Sequence, residues 1–340
     1  MRILVCRTDR IGDFVLSLPF IYELRRNIPS ARIDTLISPP LDKLVPFCPE
    51  IDGFIIYDKE RLKGSYRHML SFAQEIKERG YDVAVALNPN LRLHILLWLS
   101  GISRRMGWAV RGGRFFLTQT IAHTKPLGLM HESRYNLLFL ELLGLPSPRR
   151  KIYPKLVLPQ ELVKKAFPQI SVGIHPHASC PSKMWPLDRF TELSKRLLKR
   201  GFGLVFLGGR KARENAEQII KELPRKYRDQ IKNRAGLNLD QSLFVIASCD
   251  VLVSNDSGPV HIASALDVPS VVIFGRNDPG LSPVRWKPLH PNSVVLHEAR
   301  CEVCLAHRCK RGFACLKAIT VDDVEQELDN VLIHIKLREM

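Results

Sequence analysis

Asn255-Asp256-Ser257-Gly258 follows the aliphatic run Val251-Leu252-Val253 and is followed in turn by Pro259 and His261. Turn-forming and capping residues in that order, with proline at the first helical position, predict a strand, a tight turn and a helix start. Asp267 is expected to close that helix, and Ser270 to Phe274 reads as the next buried strand. The first turn of a helix carries backbone N–H groups without partners and the positive end of the aligned peptide dipoles. Such an end attracts phosphate. Gly258 lets a ligand approach the backbone, Ser257 offers a hydroxyl, and His261 follows three residues on. A plainer reading stays open, with Ser257 as a cap and His261 as a core histidine.

Asp13 stands beside Gly12 in the turn after the first aliphatic run, Arg2 to Cys6. In a parallel sheet ligands bind beyond the carboxyl ends of the strands, so this carboxylate can serve as a general base; it can equally cap the helix that follows. The turn has one glycine and lacks G-x-G-x-x-G, which argues against a nicotinamide-dependent dehydrogenase. The loop from His175 to Pro186 is polar and stiffened by prolines, and within it Lys183 can bring a compact positive charge, and Ser179 a donor, to a diphosphate. Cys301, Cys304, Cys309 and Cys315 form C-x2-C with two further cysteines close by. This spacing suits either a tetrahedral zinc or iron site, with His307 as a substitute ligand, or a set of buried free thiols.

These residues need elements to hold them. Strand, turn and helix alternate from the start: strands are expected at Ile33 to Ile37, Phe54 to Tyr57 and Asp82 to Leu87, with an amphipathic helix from His68 to Arg79 and a buried one from Leu91 to Leu99. Arg111 to Thr120 and then Leu127 to Leu143 complete this half. After a proline-rich, charged passage the alternation restarts at Ser171, with helices over Asp188 to Arg200, Ala212 to Leu223 and Leu239 to Ala247. A last helix opens at Thr320, with Asp323 in a capping-box position. The expected fold is therefore α/β, two Rossmann-like parallel-sheet domains facing a central cleft, residues 1–160 and 161–340, with the C-terminal helix available to pack back on the first.

A chain of 340 residues exceeds one ordinary core, and 45% hydrophobic residues suffice for two. No apolar run is long enough for a membrane span, and Arg7, Asp9 and Arg10 stand where a signal peptide would be apolar, so a cytoplasmic protein is expected. Lys and Arg outnumber acids 51 to 34, a net charge of +17 that favours anionic partners. No helix-turn-helix, RNA-recognition motif or aromatic platform accompanies that charge, so nucleic acid is not the expected partner.

Three separated segments, I-G-D-F-V-L-S-L-P, H-A-S-C-P-S-K-M-W-P-L-D-R-F and N-D-S-G-P-V-H-I-A-S-A-L, resemble glycosyltransferase family 9, the ADP-heptose:lipopolysaccharide heptosyltransferases. The resemblance implies a GT-B fold, an acceptor held mainly by the first domain, a nucleotide-sugar held by the second, and an inverting transfer that needs no cofactor or catalytic metal. It makes Asp13 the base that deprotonates an acceptor hydroxyl. Ser179 and Lys183 match diphosphate-binding positions, and Ser257, Gly258 and Pro259 the helix-end cradle, with Asp256 and His261 in the same motif. Leu237 is expected to line the adenine pocket and Glu214 to reach the ribose, although Arg210-Lys211-Ala212-Arg213 stands where relatives commonly show an acidic residue. The implied partners are ADP-heptose, a lipid-linked anionic sugar acceptor of the lipopolysaccharide inner core, and the cytoplasmic face of the inner membrane. Two other readings stay open, a GT-B transferase with a UDP-sugar or another acceptor, and a basic nucleic-acid-binding protein.

Overall fold

The computed structural model describes residues 1–62, 64–299, 301 and 303–339, with side chains of the last helix described as far as residue 335. The chain divides into two units, Met1–Pro154 and Lys155–Met340. In the first, the strands are β1 (Arg2–Arg7), β2 (Arg32–Ile37), β3 (Gly53–Ile56), β4 (Val83–Ala86), β5 (Arg104–Ala109) and β6 (Gln119–Ala122). In the second they are β7 (Ser171–His175), β8 (Gly203–Phe206), β9 (Ile231–Asn233), β10 (Val251–Asn255), β11 (Ser270–Phe274) and β12 (Val294–His297).

Each unit holds one six-stranded sheet, ordered β3-β2-β1-β4-β5-β6 and β12-β11-β10-β7-β8-β9, with every ladder parallel. Central strands such as Val83–Ala86 and Val251–Asn255 are buried along their whole length, because helices cover both faces of a parallel sheet. Numbered within its own unit, each sheet has the order 3-2-1-4-5-6. The direction of winding reverses between β1 and β4 in one and between β7 and β10 in the other. Crevices open at such reversals, beyond the carboxyl ends of the strands.

The core of the second unit joins Val172, Ile174, Val253 and Ile273 of the sheet to Phe190 and Leu197 of the helix Leu187–Lys199. The apolar stripe Val324, Leu328 and Val331 of the C-terminal helix packs into the same core. That helix starts as a capping box: the Thr320 N–H donates to the Asp323 carboxylate at 2.7 Å and the Asp323 N–H to the Thr320 hydroxyl at 3.1 Å. Asp267 ends the helix Gly258–Ala265 in the left-handed region, φ +60°.

The run Leu127 to Leu143 holds two helices, Glu132–Leu137 and Phe139–Leu142. Two differences from the sequence reading stand out. β5 and β12 lie where charge and short length masked the strand pattern. The helix Leu91–Leu99 has the expected span but is buried on one side only, with Leu91 and Trp98 exposed on the other.

Candidate functional site

In the first unit the turn after β1 is tied down on every side. The Asn88 carboxamide at the end of β4 exchanges hydrogen bonds with Thr8, accepting from its N–H at 3.4 Å and donating to its hydroxyl at 3.1 Å. Arg7, only 2% exposed, ends β1 beneath the turn. Its guanidinium donates to Asp13 at 2.6 Å, to Glu132 at 2.9 Å, to the Asn136 carboxamide at 3.3 Å and to the Leu87 carbonyl at 3.1 Å, and pairs with Asp9 at 2.8 Å. Lys125 reaches the same Glu132 at 2.6 Å and the Leu87 carbonyl at 3.1 Å, with the Trp108 ring against its ammonium.

Of the three carboxylates around Arg7, Asp13 makes the shortest contact, 2.6 Å, and its side chain is 14% exposed, between the buried Glu132 and the more exposed Asp9. The helix Ile11–Val15 carries no side-chain cap, so Asp13 spends its carboxylate on Arg7 and not on capping. Burial, together with the nearby charges of Asp9 and Glu132, pushes its pKa up to about 6 against the downward pull of Arg7. A carboxylate held in place, open on one side and titrating near neutrality has the properties of a general base.

The second unit repeats the geometry with the opposite sign of charge. The Lys183 ammonium sits 2.9 Å from the Asp256 carboxylate and donates to the Asp256 carbonyl at 3.1 Å. Arg276, two residues beyond the end of β11, donates to the same carboxylate at 2.8 Å and is as buried as that carboxylate. Two cations on one anion leave a net positive charge beside the start of the helix Gly258–Ala265. Asp256 thus holds Lys183 and Arg276 together.

Ser257 occupies the N-cap position without a side-chain cap bond. Its hydroxyl lies 3.2 Å from Nδ1 of His175, which is also 3.1 Å from the Ser254 hydroxyl. Burial, and then the neighbouring His177, lowers the His175 pKa to about 3, so this ring is neutral. Gly258 and Pro259 open the helix half-buried, and His261 is buried within it.

The remaining expected residues spread around the carboxyl ends of β7, β8 and β9. Ser179 is exposed in the loop after β7. Gly208 ends β8 at φ +122°, and a Cβ there would come within 2.6 Å of the His175 ring. The Gly236 N–H donates to the Gly208 carbonyl at 2.7 Å, which brings the half-buried Leu237 to the same edge. Glu214 is exposed on the helix Arg210–Glu222, near enough to His177 to act on its charge.

Cys301, Cys304, Cys309 and Cys315 are free thiols around one cavity that Gly275 and Arg276 also line. The Cys304 sulfur accepts from the N–H groups of Asn277 and Ala306, both at 3.4 Å, and the Cys315 thiol donates to the Gly275 carbonyl at 2.9 Å. His307 is turned to the Ser182 hydroxyl at 3.1 Å. Among the described residues no three His, Cys, Asp or Glu side chains converge as a metal site.

Arg7, Glu132, Lys125 and Arg276 escaped the sequence reading. Arg276 had a local signal, being the first charged residue beyond a buried strand; Glu132 lies 125 residues from Arg7 and had none.

The family model described as glycosyltransferase family 9 (heptosyltransferase) matches residues 69–314. Lipopolysaccharide heptosyltransferase 2 of Escherichia coli (strain K12) is 26% identical over 98% of this chain and 99% of its own length. Lipooligosaccharide heptosyltransferase 2 of Haemophilus ducreyi is 27% identical over the same shares. The solved structure of the E. coli ADP-heptose lipopolysaccharide heptosyltransferase II superposes with a TM-score of 0.83 at 24% identity, over 99% of this chain and 100% of that one. Two Rossmann-type sheets of one strand order are thus the GT-B pattern of these structures. A match from residue 69 to residue 314 takes in most of a 340-residue chain, and on that ground the protein belongs to glycosyltransferase family 9, the heptosyltransferases.

Proposed function

We propose that this heptosyltransferase moves a heptose from ADP-heptose to an inner-core sugar of a lipid-linked, anionic lipopolysaccharide precursor, as a peripheral protein on the cytoplasmic face of the inner membrane. The observation that carries the reading is the opposite equipment of the two crevices. One presents a buried-network carboxylate, Asp13, and the other a pair of cations, Lys183 and Arg276, beside a helix start without a side-chain cap.

Asp13 accepts the proton of the acceptor hydroxyl while that oxygen forms a bond to the anomeric carbon of the heptose. The bond from that carbon to the ADP oxygen breaks as the new one forms, its electrons leave with ADP, and the configuration inverts. The growing charge on the diphosphate is met by Lys183, by Arg276 and by the backbone N–H groups of Ser257 and Gly258. Leu237 borders the adenine and Glu214 the ribose. Because positive charge is already in place, the step asks for no divalent cation; the cysteine-lined cavity is left with a structural part, as free thiols or, after side-chain rearrangement, as a zinc or iron ligand set.

The names of the relatives support heptose and lipopolysaccharide as the chemistry. A donor screen tests it: ADP-heptose, ADP-glucose and a UDP-hexose are offered with truncated lipopolysaccharide cores, and products are read by mass spectrometry. A mass increase of one heptose with ADP-heptose alone is expected. Transfer from the UDP-sugar in its place overturns the donor assignment.

A further inference from the structure

The helix Leu91–Leu99 buries Leu93, Leu96 and Leu97 in the core of the first unit, but its opposite side is apolar too. Leu91, Ile95 and Trp98 recur there at i, i+4 and i+7, with Leu91 42% and Trp98 50% exposed. The turn Gly113–Phe116 lies against this helix. Phe116 meets Trp98 edge-on at 5.6 Å between ring centroids, and Phe115 next to it is 75% exposed. A helix apolar on all sides belongs in a core or against lipid, and only one side of this one has a core to face.

Charge adds an independent mark. From Val83 to His131 the sequence has no Asp or Glu, while Arg92, Arg111 and Arg114 are exposed next to the apolar residues. The Arg114 guanidinium lies over the Phe115 ring at 5.3 Å. Large amphipathic rings settle at the headgroup level of a bilayer, and guanidinium groups bind the phosphates there.

We propose that this face of the first unit docks on an anionic bilayer, with Leu91, Trp98 and Phe115 entering the headgroup region and Arg92, Arg111 and Arg114 paired with lipid phosphates. Among the described residues no helix is long and apolar enough to cross a membrane. The proposal rests on the transferase reading in one respect, that a lipid-linked acceptor requires the enzyme at a bilayer.

The full chain is sedimented with vesicles of phosphatidylcholine alone and of phosphatidylcholine with phosphatidylglycerol, at low and at physiological salt. Binding to the anionic vesicles that weakens with salt is expected. Replacing Arg92, Arg111 and Arg114 together by Gln should lower it roughly a hundredfold, about fivefold for each charge. Trp98→Ser with Phe115→Ser should remove the part that survives salt.

ADP-heptose titration of the same preparations reports on folding and on the donor site separately. Vesicle affinity unchanged in both variants, or equal for neutral and anionic vesicles, overturns the proposal while intact donor binding keeps the transferase reading. Vesicle binding that follows the predicted pattern without donor binding upholds the surface and refutes that reading. A chain that ignores both vesicle types and self-associates through these residues assigns the face to a second copy, which also overturns it.

Discussion

Asp13 shares the guanidinium of Arg7 with Glu132 and Asp9, so one buried cation serves three carboxylates while Lys125 supports Glu132 from behind. The sequence offered Asp13 through its turn position but left open whether it capped the helix; the ion pair with Arg7 decides that. Nothing local announced the partners, because the contact that matters closes a loop from β1 to a helix beyond β6. Asp13→Asn keeps the shape and removes the proposed base. Turnover should fall roughly a hundredfold to ten-thousandfold, with ADP-heptose affinity, read by calorimetry, nearly unchanged.

The pH dependence has a definite sign. A general base works ionised, so with Asp13 in the proposed part kcat/KM should climb as pH rises through about 6 and level off above it. Arg7 is the neighbour that pulls the Asp13 pKa down. Arg7→Met should therefore move the rising limb to higher pH, and a limb that stays in place or moves down refutes the coupling.

At the scale of elements, the helix Gly258–Ala265 and the strands flanking it fell close to where residue types put them, since glycine, proline and aliphatic runs act locally. β5 was missed because Arg104 and Arg105 open it, and β12 because a four-residue edge strand that is only half-buried carries little pattern. The outer side of Leu91–Leu99 was misread for a related reason: periodicity cannot show burial when every side of a helix is apolar.

Lys183 and Arg276 come from a loop and from a strand end, and Asp256 fastens both. Lys183→Ala should weaken ADP-heptose binding by about 1.5–3 kcal/mol, the usual worth of a hydrogen bond to a charged group. Isothermal titration would show it as a rise in Kd of roughly ten- to a hundredfold. Gly275 lies under this pair; a Cβ there would stand 2.6 Å from the Ser182 carbonyl oxygen and 2.7 Å from Leu316. Gly275→Ala should cost about 1–3 kcal/mol through overpacking, seen as a lower Tm in calorimetry.

For the molecule as a whole, the net charge of +17 marked an anionic partner without naming it, and the three separated motifs supplied the donor class that charge alone cannot. If Lys183, Arg276 and the helix start meet the leaving diphosphate, removing divalent cations with a chelator should change the transfer rate by less than about twofold. A loss of transfer restored by adding magnesium or zinc would contradict that account.

Among the described residues each sheet is assembled from consecutive strands, and none of the twelve is lent to the other unit. During synthesis the first unit has its last strand by Ala122 and its final helix by Leu142, before any of the second sheet has left the ribosome. Units of this kind fold in order of emergence. The half that carries the proposed base and the proposed lipid-facing helix thus has time to form alone, and its exposed Trp98 and Phe115 meet the cell before the half with Lys183 and Arg276 is complete.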